Sequence, residues 1–115
     1  MKLNSTGSLS FSNGKYWSYR TKMTDTYNGY RLFNASPYST TTSKHQAVIR
    51  REYDYDIVLT QCPFGDWDCK DALIDELSEL GNMLKLRKKQ RKTDKQKRDV
   101  AELERKIELI NKALG

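Results

Sequence analysis

At 115 residues the chain has room for one modest core, and no apolar run in it approaches the roughly 20 residues that a membrane span needs. Apolar residues make up 37% and charged residues 31%, with a net charge of +6 at pH 7, so much of the chain must be solvated and basic. An aromatic share of 10%, seven of these residues being tyrosine, argues against disorder.

The N-terminus, MKLNSTGSLSF, has no apolar stretch of the kind a secretory signal carries, which makes a cytoplasmic address the expectation. Residues 1–62 read as a small antiparallel β unit with a short helix near 43–52. Asn28-Gly29 between two tyrosine-rich runs is a two-residue hairpin signal, because a type I′ turn asks for positive φ at both positions. That turn pairs Tyr27 with Tyr30, Asp25 with Leu32 and Thr24 with Phe33. Alternation then predicts Trp17, Tyr19, Thr21, Met23, Tyr27, Tyr30 and Leu32 on a core face, with Ser18, Arg20, Lys22, Thr24, Thr26, Arg31 and Phe33 on a wet one. Asn13-Gly14 marks an earlier hairpin. A strict two-residue turn there puts Leu9 and Phe11 on the wet face, so a bulged loop is the favoured expectation.

The stretch Tyr38 to Gln46, YSTTTSKHQ, hands the β unit over to a helix. Ser43 and Gln46 fit a capping box, with Ser43 as N-cap and Gln46 three residues on. The same helix end, with Lys44 and His45, also suits an anion. A last strand over 53–60 points Tyr53, Tyr55, Ile57 and Leu59 inward.

From about Asp68 the apolar period changes from 2 to 3.6, opening a charged amphipathic helical region over 66–115. Leu73, Leu77, Leu80 and Leu84 form one heptad seam, and Val100, Leu103, Ile107, Ile110 and Leu114 a second. Thr93 and Gln96 suit a capping box for the second helix. A helical hairpin turning near 91–94 is the preferred arrangement. The alternative is one extended coiled-coil-like helix, reaching far enough to pair with a second copy as a homodimer. The fold class is therefore α+β, a small antiparallel sheet with a short helix followed by this helical region.

Charge is unevenly spread. Acids Asp66, Asp68, Asp71, Asp75, Glu76 and Glu79 precede a run of bases, Lys85, Arg87, Lys88, Lys89, Arg91, Lys92, Lys95, Lys97 and Arg98, broken only by Asp94. Such a run is the footprint of a polyanion-binding patch, or of a solvated helix end. On the sheet, Arg20, Lys22 and Arg31 with hydroxyls and Phe33 on the same face suggest a surface for single-stranded nucleic acid.

Signs of catalysis are few. No phosphate-binding glycine loop, dinucleotide fingerprint or HExxH is present. His45 with Cys62 or Cys69 has no local signature of a nucleophilic site. Two cysteines and one distant histidine do not make the four ligands zinc requires, so no metal or cofactor is expected.

The segments Lys15-Tyr16-Trp17-Ser18-Tyr19, Asn28-Gly29-Tyr30 and YSTTTSKHQ, in that order, resemble a pattern in small proteins of phages and mobile elements of Gram-positive bacteria. The resemblance covers about residues 15–50. It implies a small phage-type accessory protein in a bacterial cytoplasm, and the lack of catalytic motifs makes a non-enzymatic one the expectation. Such proteins commonly inhibit host defence nucleoproteins, CRISPR–Cas nucleases included, or bind DNA or RNA as regulators. The expected partner is accordingly a host protein, a nucleoprotein complex or a nucleic acid, and no membrane. A dimerising structural phage component is the third expectation.

Overall fold

A computed structural model of the chain describes residues 9–89 and 93–115. Its elements are β1 (Leu9–Ser12), β2 (Lys15–Ser18), β3 (Thr21–Lys22), β4 (Thr24–Tyr27), β5 (Tyr30–Asn34), α1 (Thr40–Glu52), β6 (Ile57–Leu59), α2 (Cys69–Lys88) and α3 (Asp94–Leu114). The fold is α+β, with two small, mostly antiparallel sheets ordered β1-β2-β3 and β4-β5-β6.

Both Asn-Gly turns are tight, and each holds positive φ at both central residues: Asn13 (53°) with Gly14 (77°), and Asn28 (50°) with Gly29 (82°). The second sets the expected register, Tyr27 opposite Tyr30 and Thr24 opposite Phe33. The first overturns the expected bulge, because Ser12 pairs with Lys15, Phe11 with Tyr16 and Leu9 with Ser18. No bulge is needed, since β2 buries Tyr16 and Ser18 rather than Trp17 and Tyr19. Leu9 therefore goes inward in the strict register, while Phe11 stays 52% exposed.

A third turn carries no sequence mark. Ser18 pairs with Thr21 across Tyr19-Arg20, and Tyr19 adopts φ +57°, where glycine is the usual residue. The run from 15 to 27 consequently holds three strands, β2 and β3 paired antiparallel and β4 in the second sheet. Met23, fully buried, joins the sheets: its N–H donates to the Tyr16 carbonyl, and its carbonyl accepts from the Asn34 N–H.

Two further expectations are corrected. The β4–β6 sheet is not wholly antiparallel: α1 carries the chain back so that β6 runs parallel to β5, with Leu32 opposite Ile57 and Asn34 opposite Leu59. Both faces of that sheet are covered as well. Leu32 packs with Ile57, Leu59, Leu73, Leu80, Leu103 and Ile110 beneath α2 and α3. Phe33, on the reverse, packs with Leu9, Tyr16, Met23 and Ile49 under α1. The face assigned to solvent is thus a second core around Phe33, and Ser18, Lys22 and Thr24 are buried as well.

Residues 69–114 form the hairpin and not a single extended helix. Arg87 near the end of α2 reaches Asp99 near the start of α3 at 3.5 Å, and Leu80 and Leu103 share one core, so the two helices run antiparallel. Thr93 caps α3 as expected: its side chain accepts from the Gln96 N–H, and its own N–H is taken by the Gln96 side chain. Part of the turn expected near 91–94 falls on residues outside those described. No helix of the described residues is long and apolar enough to cross a membrane.

Candidate nucleic-acid interface

The basic residues expected to bind an anion separate into one group that converges and several that do not. Lys85, Arg87, Lys88 and Lys89 line the last turns of α2, and Lys95, Lys97 and Arg98 the first turns of α3. Because the helices are antiparallel, both sets lie at one end of the hairpin, and every one of these side chains is exposed. Arg87 alone among them has an acidic partner, Asp99 at 3.5 Å. Leu86, 64% exposed, sits among them. Arg91 and Lys92 lie outside the described residues.

The two halves of the cluster differ energetically. Cations at the C-terminal end of α2 suit the helix dipole, each by about 0.3–1 kcal/mol. Cations in the first turns of α3 face the positive end of that helix and carry the opposite sign. Lys95, in the first turn of α3, therefore gains nothing from the dipole of the helix that holds it.

The sheet residues form no such surface. Arg20 is exposed at the β2–β3 turn. Arg31 is half-exposed beside Asp56, 3.7 Å away. Phe33 cannot stack on a base, since Tyr55 stacks on it at 5.2 Å and the Arg50 guanidinium lies over its ring at 5.2 Å. Lys22 is only 2% exposed. Its ammonium lies 2.6 Å from Asp25 and 3.1 Å from Asp66, over the Trp67 ring. The nucleic-acid platform expected of Arg20, Lys22, Arg31 and Phe33 does not assemble, because α1 covers Phe33 and Lys22 is buried against Asp25, Asp66 and Trp67.

The YSTTTSKHQ stretch is also rearranged. Helix α1 starts at Thr40, and its N-cap is Ser39, whose side chain accepts from the Thr42 N–H at 3.2 Å. Ser43 lies inside the helix, giving its N–H to the Ser39 carbonyl. Gln46 caps nothing: its amide donates to the Asn34 and Ser36 carbonyls at 2.9 and 3.0 Å, tying α1 to the end of β5. His45 is fully buried, its Nδ1 2.6 Å from Ser18 Oγ, while Lys44 is exposed. Lys44 and His45 therefore do not converge on an anion.

Burial pushes the thiol of Cys62 up to about 12. Burial, then the hydrogen bond and charge of Asp25, do the same for Cys69, also to about 12. Neither is primed as a nucleophile. Among the described residues no three His, Cys, Asp or Glu side chains gather where a metal could sit. One buried group escapes a reading from spacing alone. Glu76 lies in the acidic run but is buried, accepting from the Thr60 N–H at 2.5 Å and from Thr60 Oγ1 at 2.9 and 3.0 Å. Its place between Ala72 and Leu80, both core residues one turn away on α2, is the signal that marks it.

The class these observations define is a three-layer α+β protein with a basic helical-hairpin end. No family model, no curated protein and no solved structure matches the chain.

Proposed function

We propose that the chain is a non-enzymatic accessory protein of phage type that blocks a nucleoprotein in the cytoplasm of a bacterial host. It grips the nucleic acid of that complex through the basic end of the α2–α3 hairpin. The observation that carries the reading is the convergence of exposed cations from both helices on one end, including Lys95 in the first turn of α3, where the helix dipole opposes it. Phosphates neutralise such a cluster and release counterions as they do so. The host-defence setting comes from the resemblance over residues 15–50, a guide-bearing nuclease being the most concrete target. A basic protein is no mimic of DNA, so contact with the guide or target strand is the consistent mode.

Fluorescence anisotropy with labelled duplex DNA, single-stranded RNA and an RNA-guided nuclease complex tests this. Affinity for at least one of the three should fall with salt, by about 0.7–0.9 in log–log slope per phosphate contact. Changing Lys88, Lys89, Lys95 and Lys97 together to Gln should flatten that slope, whereas Arg20→Gln with Lys44→Gln should leave it alone. A flat salt response for all three probes, or a slope indifferent to the hairpin changes, removes the reading. The narrower claim falls separately if cleavage by RNA-guided nucleases is unchanged when the protein is added.

A further inference from the structure

Strand β6 is an edge of its sheet, and between it and the helical hairpin lies a cavity of about 240 Å³. Its walls are apolar, with Leu80 and Met83 from α2 and Leu103 and Ile110 from α3. Three lining residues, Asp56, Thr60 and Lys106, are exposed, so the cavity meets solvent beside them.

Glu76 also lines this cavity, and the residue is buried. It accepts from the Thr60 N–H and hydroxyl, and no cation pairs with it among the described residues. Two donors fall short of what a carboxylate accepts, which is about four hydrogen bonds. Buried charges in proteins are normally paired, because leaving one without a counter-charge costs several kcal/mol. The cation on the cavity wall, Lys106, is turned to Glu102, 3.5 Å away. The cavity thus offers an apolar tube with an unneutralised acceptor on its wall.

We propose that this cavity binds an alkylammonium group, a primary amine on an apolar stem the length of a lysine side chain, with the ammonium on Glu76. Such a group completes the carboxylate's hydrogen bonds and fills the space between Leu80 and Ile110 with methylenes. It comes either as a free amine or as a lysine of a protein that docks along β6. Glu76 stands nine residues of helix before Lys85, about 14 Å at 1.5 Å per residue, so this site and the basic end are tested independently.

The test titrates the full chain with hexylamine and with hexanol, following the methyl resonances of Leu80, Met83, Leu103 and Ile110. Hexylamine should give saturable shifts with an affinity at least about 10-fold above that of hexanol, as expected for a hydrogen bond to a charged group. Glu76→Gln keeps an oxygen for Thr60 and should bring the two affinities together. If that variant does not fold, Met83→Trp, which fills the cavity from its half-buried wall, should abolish the hexylamine shifts. Equal affinities of amine and alcohol for the unaltered chain, shifts that persist in Met83→Trp, or no saturable shifts at all overturn the proposal. Binding that appears only after Lys106→Met also overturns it, since the chain's own lysine is then the cation. A lysine-centred peptide that binds more tightly than hexylamine, with its norleucine counterpart inert, assigns the group to a partner protein. A peptide weaker than hexylamine assigns it to a free amine.

Discussion

Lys22 holds its ammonium between Asp25 and Asp66 with the Trp67 ring 4.3 Å away, and its own carbonyl accepts from the Trp67 indole N–H at 2.6 Å. Burial alone would lift the carboxyl of Asp25, but hydrogen bonds from Lys22, Cys69 and the Thr26 N–H outweigh it and hold the group below its ordinary value. For Lys22, burial acts to lower the ammonium, and its bonds to Asp25 and Asp66 raise it instead. The signs set a window. A carboxyl depressed in the folded state contributes stability that is present above its unfolded pKa and is lost as pH falls through the folded one. An ammonium raised in the folded state contributes below its unfolded pKa and loses that contribution as pH rises through the folded value. The pair therefore stabilises the fold from about pH 4 to about pH 10. Lys22→Met leaves Asp25 as a nearly buried charge that keeps its bonds from Cys69 and Thr26 and, among the described residues, one cation, Lys15 at 3.4 Å. Urea denaturation at pH 7 should show a loss of about 3–5 kcal/mol. The difference between the two proteins should shrink on going to pH 3, where Asp25 in the variant is free to protonate. A difference that stays constant from pH 7 to pH 3 means that Lys22 acts through packing alone.

At the scale of elements, α1 owes its start to Ser39. The cap satisfies the Thr42 N–H, so Ser39→Ala should cost about 1 kcal/mol, while Ser43→Ala, inside the helix and exposed, should stay within about 0.5 kcal/mol. Thermal melts of the two variants decide it, and the reverse order would return the cap to Ser43. Only Ser43, three residues before Gln46, fits the capping-box pattern, so spacing pointed to the wrong serine. The choice is made by distant partners: Gln46 is drawn to the Asn34 and Ser36 carbonyls and His45 to Ser18, and both contacts need the helix to begin one turn earlier. Features that local chemistry governs were legible. The Asn28-Gly29 turn fixes its register by backbone sterics alone, and the Thr93–Gln96 box closes within one turn. The heptad spacing of Leu73 to Leu84 likewise forecasts its own seam. Legibility ended where a second layer intervened. Alternation cannot tell a strand with one wet face from a strand covered on both, and Tyr19 gives no residue-type warning of a turn at φ +57°. The same limit applied to the site. The described cations of the helical hairpin are exposed, as helix ends allow, whereas Lys22 and His45 are buried by residues distant in sequence, Lys22 by Asp66 and Trp67 and His45 by Ser18.

For the whole molecule, the division into a β unit and a helical region is one of sequence and not of packing. Leu32, Ile57 and Leu59 of the sheet share a core with Leu73, Leu80, Leu103 and Ile110 of the hairpin, and Asn28 at the β4–β5 turn donates to the Ala113 carbonyl near the end of α3 at 2.7 Å. Neither part keeps its apolar face covered without the other, so the chain should unfold in a single step. Far-UV circular dichroism follows chiefly α2 and α3, while tryptophan fluorescence follows Trp67 in the core and Trp17 on the sheet. Their urea midpoints should coincide. Ile110→Ala opens a cavity at the centre of the shared core and should cost about 2–5 kcal/mol, moving both probes together although the residue belongs to α3 alone. If the dichroism shifts and the fluorescence does not, the hairpin and the sheets are separate cooperative units. Coincident shifts bear directly on how the basic end is used. Lys88, Lys89, Lys95 and Lys97 touch none of this core, so exchanging them for glutamine should leave both midpoints in place. A loss of nucleic-acid affinity in that variant then measures contact with phosphate and not a change in folding.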